Sequence, residues 1–168
     1  MNRPIRTIVV DDSAFVRKIV REMLSGNPAI EVVGAARNGE EALEMVESLR
    51  PDVVTCDLIM PKLDGVAFVR AQMARRPLPI LILSASPQDG ELVLEALSAG
   101  AVDLVQKPTA LATDQLLGIR EQLVAKVRAA MGAPVGPLGS VVDQGPLAFP
   151  RAGGGPPVAL RESLSPVI

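Results

Sequence analysis

The 168-residue sequence contains no histidine, tyrosine or tryptophan and only one cysteine, Cys56. Without histidine, catalytic triads and dyads that use an imidazole base are excluded, as are metal sites with imidazole ligands. A single cysteine cannot form an internal disulfide, which fits a reducing compartment. The aromatic residues are three phenylalanines, so stacking platforms for nucleic-acid bases are not expected.

Strong charge of one sign and long apolar runs are also missing. The formal net charge is −2, which gives no electrostatic basis for binding nucleic acid or an anionic membrane. The sequence shows no signal-peptide pattern and no run of about 20 apolar residues. We therefore expect a cytoplasmic protein. The 48% of residues that are hydrophobic can supply the core of one domain.

Short segments rich in valine and isoleucine alternate with segments of helical periodicity. The predicted strands are Ile5–Val10, Ile30–Ala35, Asp52–Cys56, Leu78–Leu83 and Val102–Val105. The predicted helices are Ala14–Leu24, Glu40–Leu49, Val66–Arg75, Glu91–Ala99 and Asp114–Met131. Five such β–α units predict an α/β fold, with a doubly wound five-stranded parallel sheet covered on both faces. Right-handed crossovers favour the flavodoxin-like strand order 2-1-3-4-5.

The first predicted helix carries an apolar stripe that we expect to face the core: Phe15, Val16, Ile19, Val20 and Met23. The sequence changes character after Gly132. Residues 133–168 include seven prolines and six glycines and show no amphipathic period. We therefore predict a folded domain over residues 1–132, followed by a flexible, disordered linker or tail over 133–168.

Polar residues follow four of the five predicted strands. Asp11 and Asp12 follow the first strand, Asp57 the third, Ser84 the fourth and Lys107 the fifth. In a doubly wound sheet the carboxyl ends of the strands meet at one edge, where ligands bind. Three carboxylates at that edge repel one another unless a hard cation such as Mg²⁺ lies between them.

This arrangement predicts a phosphoryl-accepting site. Carboxylates form aspartyl-phosphates, so Asp57 can act as nucleophile as well as metal ligand. Ser84 can donate a hydrogen bond to a phosphoryl oxygen, and Lys107 can neutralise part of its charge. Taken singly, each residue has a plainer interpretation: Asp12 or Ser13 as a helix cap, and the others as turn or surface residues. Their joint placement favours the site.

The chain resembles the receiver domains of two-component response regulators over about residues 4–131. The segments that carry the resemblance are Val10–Ser13, Asp57–Pro61, Asp64–Gly65, Ser84–Ala85 and Lys107–Pro108. The resemblance implies that a histidine kinase phosphorylates Asp57 and that Asp11 and Asp12 organise Mg²⁺. It also implies that Ile59 offers its backbone carbonyl to the metal and that the Lys107–Pro108 bond is cis.

A narrower resemblance is to the regulatory domain of chemotaxis protein-glutamate methylesterases, at Asp11–Lys18, Pro51–Thr55, Gly100–Asp103 and the Pro/Gly-rich segment. It implies a chemotaxis-type histidine kinase. It also implies output to an esterase domain or another protein through the face of helix four, strand five and helix five. The serine nucleophile and histidine of that family's esterase domain are absent from these residues. We therefore expect a signalling switch that catalyses only its own phosphorylation and dephosphorylation, as a regulatory fragment or a stand-alone receiver.

Leu104 departs from a common receiver pattern, in which an aromatic residue lies three positions before the lysine. We expect Leu104 to be a core residue of strand five rather than a rotamer switch. Other functions fit less well. An aspartyl-nucleophile phosphatase would need a second carboxylate at Ile59, and a flavin phosphate would be repelled by Asp11 and Asp12. No helix-turn-helix pattern follows residue 132.

Overall fold

The structure is a computed structural model that describes residues 3–108, 113–131 and 135. Its strands form one parallel sheet in the order β2-β1-β3-β4-β5. They are β1 (Ile5–Val10), β2 (Ile30–Ala36), β3 (Val53–Asp57), β4 (Ile80–Ser84) and β5 (Asp103–Gln106). The predicted fold class and strand order are confirmed.

Helices cover both faces of this sheet. They are α1 (Ala14–Ser25), α2 (Gly39–Leu49), α3 (Gly65–Arg75), α4 (Gly90–Ala99) and α5 (Thr113–Ala130). A short 3-10 turn at Pro87–Asp89 precedes α4. The predicted helices are all present, with ends shifted by about one residue, as is usual for helix boundaries.

Four strands, β2 to β5, end one residue later than the sequence predicted, and the added residues of β3 and β4 are site residues. Asp57 pairs with Leu83 across β3 and β4, and Ser84 pairs with Gln106 across β4 and β5. The prediction ended β3 and β4 at the last apolar residue, whereas backbone hydrogen bonding continues through the polar residue that follows. Asp57 and Ser84 are therefore held by the sheet itself.

Two apolar layers fill the space between sheet and helices. Alternate residues of a strand point to opposite faces, so Val54 of β3 joins the layer under α2, α3 and α4 while Val53 joins the layer under α1 and α5. Phe68 of α3 is wholly buried in the first layer, and burial of such a side chain contributes about 2 kcal/mol. These layers hold the sheet edge that carries the polar residues.

Helix α1 differs from the prediction at its first turn. Val16, Val20 and Met23 are buried, but Phe15 is 59% exposed. The expectation that Phe15 faces the core is wrong. It lies about 100° around the helix from Val16, beyond the stripe that α5 and the sheet cover.

The first three helices begin with the same local device. The side chains of Ser13, Asn38 and Asp64 each accept a hydrogen bond from the backbone N–H of the third residue of α1, α2 and α3, respectively. Such caps satisfy backbone donors that a helix start leaves unpaired. They fix how α1, α2 and α3 leave the carboxyl edge of the sheet.

The predicted tail over residues 133–168 lies outside the described residues, except for Val135, and its boundary at residue 132 stays a prediction. Within the described part of the chain, no helix is both long and apolar enough to span a bilayer.

Candidate functional site

Asp11 directly follows β1 and is completely buried. Its Oδ1 accepts a hydrogen bond from the backbone N–H of Ser13 at 2.9 Å, which turns the chain into α1. Its Oδ2 lies 3.4 Å from Nζ of Lys107 but accepts no hydrogen bond from the residues that the structure describes. Asp11 therefore holds a buried oxygen that is only partly compensated. The adjacent Asp12 is exposed.

Asp57 is the last residue of β3, and only 6% of its side chain is exposed. Nζ of Lys107 donates a hydrogen bond to its Oδ2 at 3.1 Å. Lys107 follows β5 and is positioned by its backbone N–H, which donates to the carbonyl of Ser84 at 2.8 Å. The ammonium group of Lys107 thus contacts the carboxylates of both Asp57 and Asp11.

The electrostatics of the site follow from burial and repulsion. Burial raises the pKa of Asp11 to about 6, and repulsion by Asp57 adds to the rise, while the Ser13 N–H and Lys107 oppose it. Burial likewise raises the pKa of Asp57 against the opposing effect of Lys107. Burial alone would lower the pKa of Lys107, but its contacts with Asp57 and Asp11 outweigh burial and raise it. Because the pKa values of both carboxyls are raised, a further positive charge at the site would stabilise their ionised forms.

The residues present fit a hard divalent cation. Asp11, Asp12 and Asp57 each place one carboxylate oxygen within 4.8 Å of the other two. An all-oxygen donor set suits Mg²⁺, which commonly binds one or two carboxylates and completes its shell with water and phosphate oxygens. The buried Oδ2 of Asp11, which accepts no hydrogen bond from the described residues, is the feature of this structure that best supports such a cation.

Ser84 lies at the same edge, at the end of β4, and is half-buried. Its Oγ is 3.3 Å from the carbonyl oxygen of Ser86 and 3.3 Å from Oδ2 of Asp89. In the described residues no hydrogen bond joins Ser84 Oγ to Asp57 or Lys107. The structure brings Ser84 to the predicted edge but engages its hydroxyl with the loop that leads to α4.

Three further predictions concern Ile59, Leu104 and Pro108. Ile59 is 60% exposed in the loop after β3, and metal ligation by its carbonyl stays a prediction. Leu104 is half-buried and packs against the core layer beneath α4, as expected for a strand residue. The Lys107–Pro108 bond is not cis, because the described residues contain no cis peptide. The trans form is the intrinsically favoured one before proline.

Sequence reasoning missed the roles of two Asp–Gly pairs. A Cβ atom on Gly65 would collide with the carbonyl oxygen of Asp57 and come within 2.8 Å of the Cα of Leu58. Gly65 therefore lets α3 pass directly against the backbone of the central carboxylate. Asp89 was not singled out at all. Its position before a helix was the available signal, but that position suggests a cap rather than a partner for Ser84.

Two cations near Asp12 were missed as well. A groove of about 270 Å³ is lined by Asp12, Arg37, Asn38, Pro61 and Lys62. Arg37 is paired with Glu41 at 2.7 Å. The side of the site next to Asp12 therefore carries positive charge along with the carboxylates.

With this geometry in view, comparison with known proteins identifies the family. The family model for the response regulator receiver domain matches residues 7–117 of the sequence. The chain belongs to the response regulator receiver family. The receiver fold, the strand order and the buried acidic edge all agree with that membership.

The relatives include protein-glutamate methylesterase/protein-glutamine glutaminases. The chain is 53% identical to number 5 of Myxococcus xanthus over 131 residues, which are 77% of this chain and 38% of that protein. It is 49% identical to the one of Symbiobacterium thermophilum over 134 residues, 79% of this chain and 37% of that protein. The chain thus spans less than two fifths of the length of these relatives.

A solved structure shows the same relationship. The response regulator domain of Thermotoga maritima CheB is 36% identical, with a TM-score of 0.71, and the match covers 79% of this chain and 99% of that one. The receiver is therefore similar both in sequence and in structure to the regulatory domain of a chemotaxis methylesterase. The predicted narrower resemblance is confirmed.

Proposed function

We propose that Asp57 accepts a phosphoryl group from a histidine kinase and that the modified receiver acts as a signalling switch. The observation that carries the proposal is the pairing of buried Asp57 with Lys107 at 3.1 Å, beside the buried carboxylate of Asp11. A lone buried acid would stay protonated, whereas an acid beside one cation and within reach of a second can ionise and attack.

In the proposed reaction, a carboxylate oxygen of Asp57 forms a bond to phosphorus while the N–P bond of the donor phosphohistidine breaks. Lys107 stabilises the charge on the transferring group and limits the rise in the pKa of Asp57. Asp11, Asp12 and Asp57, with the carbonyl of Ile59, would hold Mg²⁺, which supplies further neutralisation of the phosphoryl oxygens. Ser84 would donate its hydroxyl to one of those oxygens.

The proposal is tested with beryllofluoride, which forms an adduct that stands in for the phosphoryl group. With Mg²⁺ present, we expect amide signals near Asp57, Ser84 and Lys107 to shift. Asp57→Asn removes the nucleophilic oxygen and should abolish the shifts, whereas Asp103→Asn, an exposed acid on β5, should preserve them. Identical shifts in the Asp57→Asn protein would refute phosphorylation at this residue.

We further propose that the donor is a chemotaxis-type kinase and that the setting is the cytoplasm. This rests on the similarity to the methylesterases and to the T. maritima regulatory domain. In this view the chain catalyses only its own phosphorylation and dephosphorylation, and nucleic acids and membranes are not its partners. Transfer of labelled phosphate from a purified chemotaxis kinase to the wild-type chain, but not to Asp57→Asn, tests the donor.

The output surface that we propose is the face of α4, β5 and α5. A groove of about 480 Å³ beside β5 and α5 is lined by residues that include Ser84, Leu104, Gln106 and Lys126. Because Ser84 belongs both to this groove and to the phosphoryl site, a change at Asp57 reaches the surface directly. The alternative proposal, a regulatory part of a methylesterase/glutaminase, uses the same site with an esterase domain as the partner. Esterase activity in trans, with and without beryllofluoride, distinguishes that partner from others.

A further inference from the structure

The Ser84 hydroxyl is hydrogen-bonded within the loop that leads to α4. Its Oγ lies 3.3 Å from both the Ser86 carbonyl oxygen and Oδ2 of Asp89. A hydroxyl has a single proton, so it donates to one of these acceptors at a time or is shared between them. While the proton is used there, it is not available to an oxygen bound at Asp57.

Among the described residues that precede α1, α2, α3 and α4, Asp89 differs from the other three. Ser13, Asn38 and Asp64 have extended backbones and cap their helices, whereas Asp89 has φ −81° and ψ 7° and makes no side-chain cap to α4. Its carboxylate therefore does not serve the start of α4, and it is directed instead to Ser84. At 3.3 Å the Ser84–Asp89 contact is longer than a typical hydroxyl hydrogen bond, so a phosphoryl oxygen bound at Asp57 can compete with it for the proton.

We infer that Asp89 is a positioning residue that holds the Ser84 hydroxyl away from Asp57 until a phosphoryl group competes for it. This inference rests on the proposed function of Asp57. Ser84 can donate to a phosphoryl oxygen only when it gives up the carboxylate of Asp89. Breaking the Ser84–Asp89 contact therefore costs free energy, which weakens the binding of a phosphoryl group to the site.

The contact also joins the site to α4. Asp89 ends the short turn Pro87–Asp89, and Gly90 begins α4 directly after it. Ser84 is fixed on the other side by its pairing with Gln106 of β5. Loss of the Ser84–Asp89 contact would therefore remove one tie between the turn and β4 while leaving the β4–β5 pairing in place.

The test measures the dissociation constant of the beryllofluoride adduct with Mg²⁺ from the amide signals of Asp57 and Lys107. Asp89→Ala should tighten binding about twofold, the factor expected when a weak hydrogen bond of 3.3 Å need no longer be exchanged. Asp89→Asn keeps an acceptor but not the charge, so it should tighten binding by a smaller factor. In a Ser84→Ala background, Asp89→Ala should have no further effect.

Glu91→Ala is the matched charge control, because Glu91 is an exposed acid in the first turn of the same helix. It should leave the dissociation constant unchanged. Wild-type affinity in Asp89→Ala, or weaker binding, overturns the inference about Asp89. An equal gain with and without Ser84 also overturns it, since charge repulsion would then explain the effect. A wild-type chain that binds no beryllofluoride refutes the phosphoacceptor proposal itself.

Discussion

Two of the connections between a site strand and the following helix have the same junction: an aspartate ends the loop and a glycine begins the helix. After β3 the pair is Asp64–Gly65, and after β4 it is Asp89–Gly90. Asp64 caps α3 through the N–H of Ala67 at 2.9 Å, whereas Asp89 accepts a hydrogen bond from Ser84. The aspartate before α3 thus caps its own helix, whereas the aspartate before α4 contacts the site residue Ser84.

The two glycines differ as much as the two aspartates. Gly65 donates its N–H to the carbonyl of Leu58 at 2.8 Å, and a Cβ there would collide with the backbone of Asp57. A Cβ on Gly90 would meet nothing within 4 Å. The junction of β3 and α3 is therefore closely packed, while the junction of β4 and α4 has room to rearrange. A receiver needs both: a fixed carboxylate and a segment that responds to it.

The largest expected effect comes from the two glycines. Gly65→Ala should lower the free energy of unfolding by about 3 kcal/mol, because backbone atoms on both sides must shift. Gly90→Ala, at the corresponding position of α4, should raise it by about 0.5 to 1 kcal/mol through helix propensity. Urea unfolding followed by far-UV circular dichroism measures both, since the chain has no tryptophan or tyrosine to report by fluorescence.

A Gly65→Ala protein as stable as the wild type would contradict the close packing of the β3–α3 junction. A strongly destabilised Gly90→Ala protein would contradict the openness of the β4–α4 junction. The two variants change the same atom at the same helical position, so their difference measures the packing of the two junctions.

The site also holds buried carboxylates, so we expect the free energy of unfolding to depend on pH. The pKa of Asp11 is raised to about 6 in the folded chain, chiefly by burial, against about 4 when unfolded. The folded state therefore holds this proton more tightly. The contribution of Asp11 to the free energy of unfolding should fall by about 2 to 3 kcal/mol between pH 4 and pH 6 and stay level above pH 6.

Asp11→Asn isolates that contribution, because it removes the titration while preserving the shape. Other carboxyls act in the opposite direction; the pKa of Glu41, for example, is lowered by Arg37. At each pH we therefore compare the free energy of unfolding of the wild type with that of Asp11→Asn, both measured without divalent cations. The informative quantity is the wild-type value minus the Asp11→Asn value. We expect that difference to become more negative as the pH rises, and to be reduced by Mg²⁺. A difference that does not change with pH would count against a buried carboxylate whose charge is only partly compensated.

The sequence predicted the parts of the fold that arise from a repeating pattern of residues. Alternating apolar segments predicted the strands and their order, and the polar residues after them predicted which side chains meet. The exposure of Phe15 could not be read from the periodicity of α1, because it depends on where neighbouring elements stop. The roles of Asp64 and Asp89 could not be separated either, because both precede a glycine and a helix. Only the backbone angles and the position of Ser84 distinguish them.

A smaller effect is expected from the cap of α3. Asp64→Ala removes the acceptor for the N–H of Ala67 and should lower the free energy of unfolding by about 1 kcal/mol. Asp64→Ser, which can still cap, should recover most of that loss. If both variants lose the same amount, the effect comes from the negative charge at the helix start and the hydrogen bond contributes little.

The smallest expected effect on stability is that of Asp89→Ala, about 0.5 kcal/mol or less, because no cap is lost and the residue is only half-buried. Its consequence should be local. Amide hydrogen exchange should accelerate at Ser86–Gly90 and the first turn of α4, while amides of β3 and α3 keep the wild-type rates. Asp64→Ala should show the reverse pattern, with faster exchange at the start of α3. If Asp89→Ala instead accelerates exchange throughout the chain, Asp89 supports the whole fold, and the difference between the two junctions is one of degree.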